Sequence, residues 1–389
     1  MNLRENYQIR FLLFQLKKLK IISMKLIKRI LFYLIISVIG SFTNCNKIVN
    51  GETNSEKITS YRGKGQILLR KINSNYLLNN IGENTVRNVT IYLPPDYYKN
   101  DIRYPVIYFL HGFTSSDAGE MKVGKWDSLL DQAILNEKIK PVILVLPNQY
   151  TQYQGSWYTN SDLTGLWADF TSKELVNFID DNFRTLANRE SRGLAGHSMG
   201  GFGAIKLGML YPEVFSSIYA LSPAFLGLEK DIGSKAKVFK TISEITTKEQ
   251  LFNGYNFLES GIISAAMAFS PNLKKPPFYV DLPYHYKNDS LVTNKSIVAM
   301  WEDNLPLYMV DDYLNNLKRL KALKLDWGRN DGLTHIPFTS KMFSKKLEQY
   351  KIQHFAEEYS GGHNDKIYSA DGRVVNELIP FFDTYLEFE

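Results

Sequence analysis

A serine set between closely spaced glycines is the residue in this sequence best suited to chemistry. The segment 196–201, GHSMGG, follows a short apolar run and precedes apolar residues at helical spacing that end before Pro212. This order predicts a nucleophile elbow, a sharp strand-to-helix turn on which the hydroxyl of Ser198 stands exposed. The amide of Met199 would then lie at a helix N-terminus, where backbone N–H groups can stabilise an oxyanion. The pattern indicates nucleophilic catalysis. The alternative is a glycine-rich helix start that only packs on a sheet.

Apolar runs and helical segments alternate around this serine and would have to position it. The chain has 389 residues, 44% of them hydrophobic, which is enough for a full-sized core. The alternation predicts an α/β fold in which helices cover both faces of a mostly parallel central sheet. Strands are predicted at 65–71, 87–93, 103–112, 141–147, 190–195, 217–221, 323–328 and 353–359. Helices are predicted at 126–137, 167–183, 203–211, 311–320, 338–350 and 374–386.

Two stretches interrupt this alternation and are candidates for contact with a ligand. Trp157 and Tyr158 lie in an aromatic loop, and we expect them to line the cleft at the carboxyl ends of the strands, with His197 beside the nucleophile. Packing of both aromatic rings onto the core is the alternative. Residues 224–305 predict a helical cap, inserted after strand 217–221, that covers the site and selects the substrate. An addition at the periphery of the fold is the alternative there.

The first 44 residues differ in composition from the rest of the chain. They contain eight Lys and Arg residues and one Glu, so they account for the whole net charge of +6. A basic stretch after Met24, an apolar run at 30–40 and then Cys45 predict an export signal with a lipidation site. An uncleaved anchor or an ordinary signal peptide is the alternative, and Met24 is an alternative start of the chain. We therefore expect export to a bacterial cell envelope, with membrane attachment only through this end.

The rest of the chain is close to neutral, which disfavours a nucleic-acid-binding function. Residues 45–60 are polar and predict a flexible tether to a folded domain at 61–389. Cys45 is the single cysteine, so no intrachain disulfide can form. No phosphate loop, metal-ligand cluster or dinucleotide fingerprint is present in the sequence, and we expect neither a metal nor a cofactor.

Five motifs in chain order resemble the esterase D family of α/β-hydrolases. They lie at 89–95, 104–112, 155–158, 196–201 and 361–363, and they bracket most of the predicted domain. This family includes feruloyl and other carbohydrate esterases, S-formylglutathione hydrolases, siderophore esterases and mycolyltransferases. The resemblance implies an α/β-hydrolase fold and the hydrolysis or transfer of an acyl group through a serine ester.

An acid and a histidine should follow the serine in the order Ser, Asp or Glu, His that this fold requires. Asp331 lies in the loop after strand 323–328, whereas Asp326 lies within that strand and is the less suitable acid. Turn formation is the alternative role of either aspartate. Of the six histidines, His363 follows a Gly-Gly turn after the last predicted strand and is the expected base. The loop after strand 103–112 would supply the second oxyanion donor, the amide of Phe113.

Three functions fit these features. The first is an exported, lipid-anchored carboxylic ester hydrolase acting on a small-molecule, glycan or lipid ester. The second is an acyltransferase in which a sugar or lipid hydroxyl replaces water, since nothing in the triad distinguishes the two reactions. The third is a non-catalytic surface binding protein on a hydrolase scaffold. Such a protein has no physical need to keep a competent residue at every catalytic position, so the residues present argue against this function. The export signal disfavours a cytosolic thioester hydrolase of the formylglutathione type.

Overall fold

The computed structural model of the chain describes residues 63–253, 257–288 and 290–389. The predicted export signal, the lipidation site Cys45 and the tether lie outside the described residues. Within the described ranges, no helix is both long and apolar enough to cross a bilayer.

An eight-stranded sheet forms the centre of the domain, in the order β1-β2-β4-β3-β7-β8-β11-β12. Strands β4, β3, β7, β8, β11 and β12 run parallel, and β2 pairs antiparallel with both β1 and β4. Two short hairpins, β5–β6 and β9–β10, lie outside this sheet. The strands are β1 (Gln66–Asn73), β2 (Val86–Leu93), β3 (Val106–Leu110), β4 (Ile143–Pro147), β5 (Asn160–Ser161), β6 (Gly165–Leu166), β7 (Arg192–His197), β8 (Ser217–Leu221), β9 (Tyr284–Lys287), β10 (Ser290–Thr293), β11 (Ala322–Gly328) and β12 (Phe355–Tyr359).

Helices cover both faces of the sheet, as the alternating pattern predicts. The α-helices are Asp117–Gly124, Trp126–Leu135, Trp167–Asp169, Leu175–Asn182, Met199–Leu210, Val238–Glu244, Lys248–Phe252, Phe257–Phe269, Lys295–Glu302, Pro306–Met309, Leu314–Leu317, His335–Gln349 and Ile379–Tyr385. Two π-helical turns, Phe170–Glu174 and Val374–Leu378, continue directly into the α-helices that follow them. Short 3₁₀ turns occur at Tyr97–Lys99, Arg189–Ser191 and Lys230–Ile232.

The central strands owe their position to their composition. Every residue of β3, β4, β7 and β8 is buried. A strand covered on both faces is typically apolar along most of its length, and the runs VIYFL of β3 and ILVLP of β4 fit this. The two faces belong to different apolar clusters: Tyr108 and Leu110 pack in one, Ile107 and Phe109 in the other. The fold is therefore the predicted α/β architecture.

Three sequence predictions differ from the observed elements. The helix predicted at 311–320 is limited to Leu314–Leu317, because the flanking residues form turns. The strand before the serine occupies Arg192–His197 rather than 190–195, since Glu190 belongs to a 3₁₀ turn. The insertion 224–305 contains, besides helices, the hairpin β9–β10, which periodicity did not indicate.

We call residues 224–305 the cap segment and Phe257–Phe269 the cap helix. The cap helix is held to the aromatic loop by two serine hydroxyls, because Ser264 donates to the Gly155 carbonyl at 2.8 Å and Ser161 donates to the Met267 carbonyl at 2.6 Å. A buried lysine adds a third link. Lys206 Nζ donates to Thr159 Oγ1 at 2.8 Å and to Asn304 Oδ1 at 2.7 Å, and burial lowers its pKa well below the ordinary value.

Candidate active site

Ser198 lies at a strained turn between β7 and the helix Met199–Leu210, which we call the elbow helix. Its φ of 59° and ψ of −115° are unusual for a residue with a side chain. Close packing enforces the turn: a Cβ on Gly200 would lie 1.8 Å from the Leu110 carbonyl oxygen, and a Cβ on Gly196 would lie 2.4 Å from Gly200. The glycines of the sequence pattern are thus required sterically, and the elbow helix approaches β3 more closely than any side chain permits.

A continuous chain of hydrogen bonds joins the serine to a histidine and an aspartate. His363 Nε2 lies 2.9 Å from Ser198 Oγ, and His363 Nδ1 lies 2.7 Å from Asp331 Oδ2. The Asp331 side chain is fully buried, whereas that of His363 is 16% exposed. The structure therefore brings together the three residues that the sequence predicts as a triad. Asp326 is elsewhere, buried within β11 and paired with Arg373.

The two loops that carry the acid and the base are held against each other. The Asn330 amide donates to the Gly361 carbonyl at 2.9 Å, and a Cβ on Gly328 would lie 2.4 Å from the same oxygen. Asp331 Oδ1 accepts from the Leu333 amide at 2.9 Å, which orients its second oxygen towards the histidine. The aspartate is thus fixed before any ligand arrives.

The His197 side chain contacts the backbone of His363, the expected base, and thereby supports it. Its Nε2 lies 3.0 Å from the His363 carbonyl oxygen, which can only accept, so this nitrogen carries the proton. Burial, together with the nearby His363, lowers the pKa of His197 to about 3, so the ring is neutral. His197 also lines the cleft beside Ser198, the position that the sequence predicts for a substrate contact.

Two spaces of different character adjoin Ser198. An open cleft of about 290 Å³ lies beside His363 and is lined by residues that include Thr114, Ser115, Glu120 and Tyr368. A cavity of about 20 Å³ lies on the other side and is lined by apolar groups of the cap helix and by Phe225 and Leu333. A space of that size admits about one water-sized or methyl-sized group. Phe113 borders both spaces.

The two aromatic residues of the loop 155–161 have different positions. Trp157 lines the small cavity and stacks on Phe225, with ring centroids 4.4 Å apart. Tyr158 is fully buried and its hydroxyl donates to the His111 carbonyl at 2.9 Å. Tyr158 therefore lies beneath the site and does not line either space next to Ser198. The prediction that it contacts substrate does not fit this position, because its hydroxyl is used to fix the loop that begins at His111.

Two further histidines stabilise the loops around the site, and sequence reasoning assigned neither this role. His111 accepts from the Gln149 amide at 2.9 Å and approaches the Gly112 carbonyl through Nδ1 at 2.8 Å, and burial lowers its pKa to about 4. His335 Nδ1 lies 2.9 Å from Asp231 Oδ1, and Asp231 also accepts from the His335 amide. Asp231 belongs to the cap segment, so this pair joins the cap to the helix that follows the acid loop.

Glu120 is a buried carboxyl at the edge of the open cleft. It lies on the helix Asp117–Gly124, is 6% exposed, and accepts a hydrogen bond from the Tyr368 hydroxyl. Burial raises the pKa of Glu120 to about 7. No motif in the sequence signals this residue, because a glutamate on a short helix is ordinarily on the surface.

In the described part of the chain, no three His, Cys, Asp or Glu side chains are grouped in a way that could hold a metal ion.

The parallel sheet with a serine at the turn after β7 defines an α/β-hydrolase fold. A solved structure of a ferulic acid esterase shares this fold, with a TM-score of 0.58 at 18% identity over 83% of this chain and 99% of that one. Residues 82–371 match the family model described as putative esterase. That match covers well over half of the chain, and the chain belongs to this family.

Sequence relatives are similar over shorter segments. The chain is 35% identical over 150 residues to an esterase of Mycobacterium tuberculosis, covering 37% of this chain and 30% of that protein. It is 30% identical over 162 residues to the S-formylglutathione hydrolase of Paracoccus denitrificans, covering 39% of this chain and 57% of that protein. The chain thus spans less than two thirds of the length of either relative.

The raised pKa of Glu120 makes the free energy of unfolding depend on pH. The folded protein holds this proton up to about pH 7, whereas the unfolded chain loses it near the ordinary value of 4.5. Between these values only the unfolded chain is ionised, so stability falls as pH rises through the window. Glu120→Gln removes this ionisable group. The difference in free energy of unfolding between Glu120→Gln and wild type should therefore grow in favour of the variant by about 3 kcal/mol as the pH rises from 4.5 to 7.

Denaturant unfolding of both proteins at several pH values measures this gain. Glu348→Gln, the same change at an exposed helix position, is the matched control. A constant difference between Glu120→Gln and wild type across the range would contradict the raised pKa.

Proposed function

We propose that this protein is a serine hydrolase that cleaves carboxylic esters through an acyl-enzyme intermediate. The observation that carries the proposal is the unbroken contact from Asp331 through His363 to Ser198 on a strained turn at the carboxyl end of a parallel sheet. Membership of the putative esterase family and the esterase names of its relatives support the same chemistry.

Each group in this arrangement has a defined task. His363 Nε2 takes the proton of Ser198 while Oγ attacks the ester carbonyl, and Asp331 holds the imidazole in the tautomer that can accept it. The amides of Phe113 and Met199 are the proposed oxyanion donors, Met199 because it is the first residue of the elbow helix. His363 then protonates the leaving alcohol. Water, activated by the same histidine, releases the acid and regenerates the serine.

A second serine in the chain provides a matched control for this assignment. Ser344 Oγ lies 2.8 Å from His354 Nε2, while His354 Nδ1 faces the Ile352 carbonyl rather than a carboxylate. Ser344 and His354 reproduce the serine–histidine contact of a triad, but they lack the buried acid and the strained turn. We therefore expect Ser344 to be unreactive, so a comparison with Ser198 shows what the acid and the turn contribute.

We expect Ser198→Ala and His363→Ala to lower kcat for p-nitrophenyl acetate by roughly a million-fold, because the residues act as a unit. Asp331→Asn should cost on the order of ten-thousand-fold, since the imidazole loses its orienting acceptor. Ser344→Ala should retain wild-type turnover. The assay is release of p-nitrophenol, paired with labelling by a fluorophosphonate probe.

Wild-type protein that neither turns over the ester nor takes up the probe would overturn the hydrolase and favour a binding protein. Labelling without turnover of any ester in water, with acyl transfer to an added alcohol, would assign a transferase instead.

The small cavity argues for a short acyl group. Trp157, Phe225 and Gly261 leave space for about one methyl group beside the serine. A Cβ on Gly261 would lie 3.9 Å from Phe113 and 4.0 Å from Phe225, which is ordinary van der Waals contact. Alanine therefore fits at this position and fills part of the space that an acyl chain would use.

We expect kcat/KM to fall along the series p-nitrophenyl acetate, butyrate and octanoate. In Gly261→Ala the kcat/KM for the butyrate divided by that for the acetate should be about tenfold lower than in wild type, because space for one methylene group is lost. Gly63→Ala, whose Cβ would meet only Asp96 at 3.8 Å, is the control. A wild-type preference for octanoate would exclude this cavity as the acyl site.

We also propose that the protein is exported and anchored in the cell envelope through Cys45. The support is the sequence alone: a basic stretch after Met24, an apolar run and then the single cysteine. In bacteria fed a labelled fatty acid, the wild-type protein should incorporate label and sediment with membranes, whereas Cys45→Ser should do neither. Label incorporation that persists in Cys45→Ser would place the attachment elsewhere.

A further inference from the structure

The lining of the open cleft beside His363 combines polar with apolar side chains. Among the described residues that line it there is one carboxyl group, that of Glu120, and there is neither Lys nor Arg. The other polar groups include the side chains of Thr114, Ser115 and Asn364, which are neutral. Such a lining offers hydrogen-bond acceptors and neutral donors, but no Lys or Arg to pair with an anion.

Glu120 is held rigidly from two directions. Its helix is anchored by Asp117, which accepts from Thr90 Oγ1 at 2.7 Å and from Asn148 Nδ2 at 2.8 Å. The Tyr368 hydroxyl donates to Glu120 Oε1, and the Tyr368 ring packs edge-on against Trp126 with centroids 5.9 Å apart. One such contact does not use all the acceptor sites of a carboxyl group, and Glu120 is among the residues that line the cleft.

The position of the base identifies which part of the ester meets Glu120. The leaving oxygen must lie within reach of His363 Nε2, which donates its proton. His363 lines the open cleft and is absent from the lining of the small cavity. The cavity is therefore on the acyl side and the cleft on the alcohol side. Tyr368 follows His363 by five residues in the same segment, so the base and this acceptor are positioned together.

We propose that Glu120, oriented by Tyr368, binds a hydroxyl group on the leaving alcohol and thereby determines specificity. The preferred substrates are short acyl esters of alcohols that carry a further hydroxyl near the ester bond. Alcohols that carry a carboxylate or phosphate there are disfavoured, because the described lining of the cleft offers such an anion no Lys or Arg in exchange for its lost hydration. This inference rests on the proposed function and assigns its alcohol subsite.

Glycerol monoacetate and propyl acetate form a suitable pair of probes, because they share the acyl group and the carbon chain and differ in two hydroxyls. The readout is the ratio of their kcat/KM values in the full-length protein. Glu120→Met, which removes the acceptor at similar volume, should lower this ratio about tenfold. Glu120→Gln keeps one carbonyl acceptor and should retain most of the ratio.

Two further variants separate a binding role from a structural one. Tyr368→Phe removes the hydroxyl that donates to Glu120, and it should lower the ratio of the two kcat/KM values by a smaller factor than Glu120→Met does. This variant keeps the proposal testable if Glu120→Met does not fold. Glu348→Met is the matched control at an exposed position and should leave the ratio unchanged. Equal losses for both esters in Glu120→Met and Tyr368→Phe would show a purely structural role.

Other outcomes would overturn the proposal directly. An unchanged ratio in Glu120→Met would do so, and so would faster hydrolysis of acetylcholine than of glycerol monoacetate, which would indicate a cation site. Wild-type hydrolysis of p-nitrophenyl acetate is measured alongside. Its absence would refute the proposed function, whereas its presence with an unchanged ratio would refute only the role of Glu120.

Discussion

The constraint on which this structure depends is the contact of the elbow helix with the backbone of β3. Gly200 leaves no space for even a methyl group above the Leu110 carbonyl, and this proximity forces Ser198 into its left-handed turn. The strained backbone at Ser198 is tolerated because β3 and β7 are completely buried and closely packed, so neither strand can shift to relieve it. The serine is thus held in place by the core of the fold, and the loops need only bring their own groups to it.

Around Ser198, the acid and the base are held in place by several separate contacts. The acid is oriented by the Leu333 amide, the base by contact with the acid and by the His197 ring, and the acid loop by the loop that carries the base. The cap contributes through Asp231, which accepts hydrogen bonds from the start of the helix after the acid loop. The site is consequently organised before substrate binds, which is the condition for stabilising charge in a transition state.

The alternation of apolar runs and helical segments allowed the fold class to be predicted, and the local glycine spacing allowed the place of Ser198. Asp331 and His363 were predicted from the chain order and motif positions of the family that the sequence resembles. It did not reveal Glu120, whose hydrogen-bond donor Tyr368 lies 248 residues further along the chain. It left the position of Tyr158 open between the cleft and the core, since burial of that ring depends on helix and strand packing that periodicity does not encode. The hairpin β9–β10 and the short helix Leu314–Leu317 lie where tertiary contacts override local propensity.

The buried Lys206 limits how the cap segment can move. It lies on the elbow helix and donates to Thr159 in the aromatic loop and to Asn304 in the cap. Lifting the cap as a hinged lid would strip a buried amine of its acceptors in an apolar setting between Phe202 and Phe269, which is energetically costly. The open cleft borders Ser198 and His363 in the structure as it stands, so access to the serine along this cleft does not require the Lys206 contacts to break.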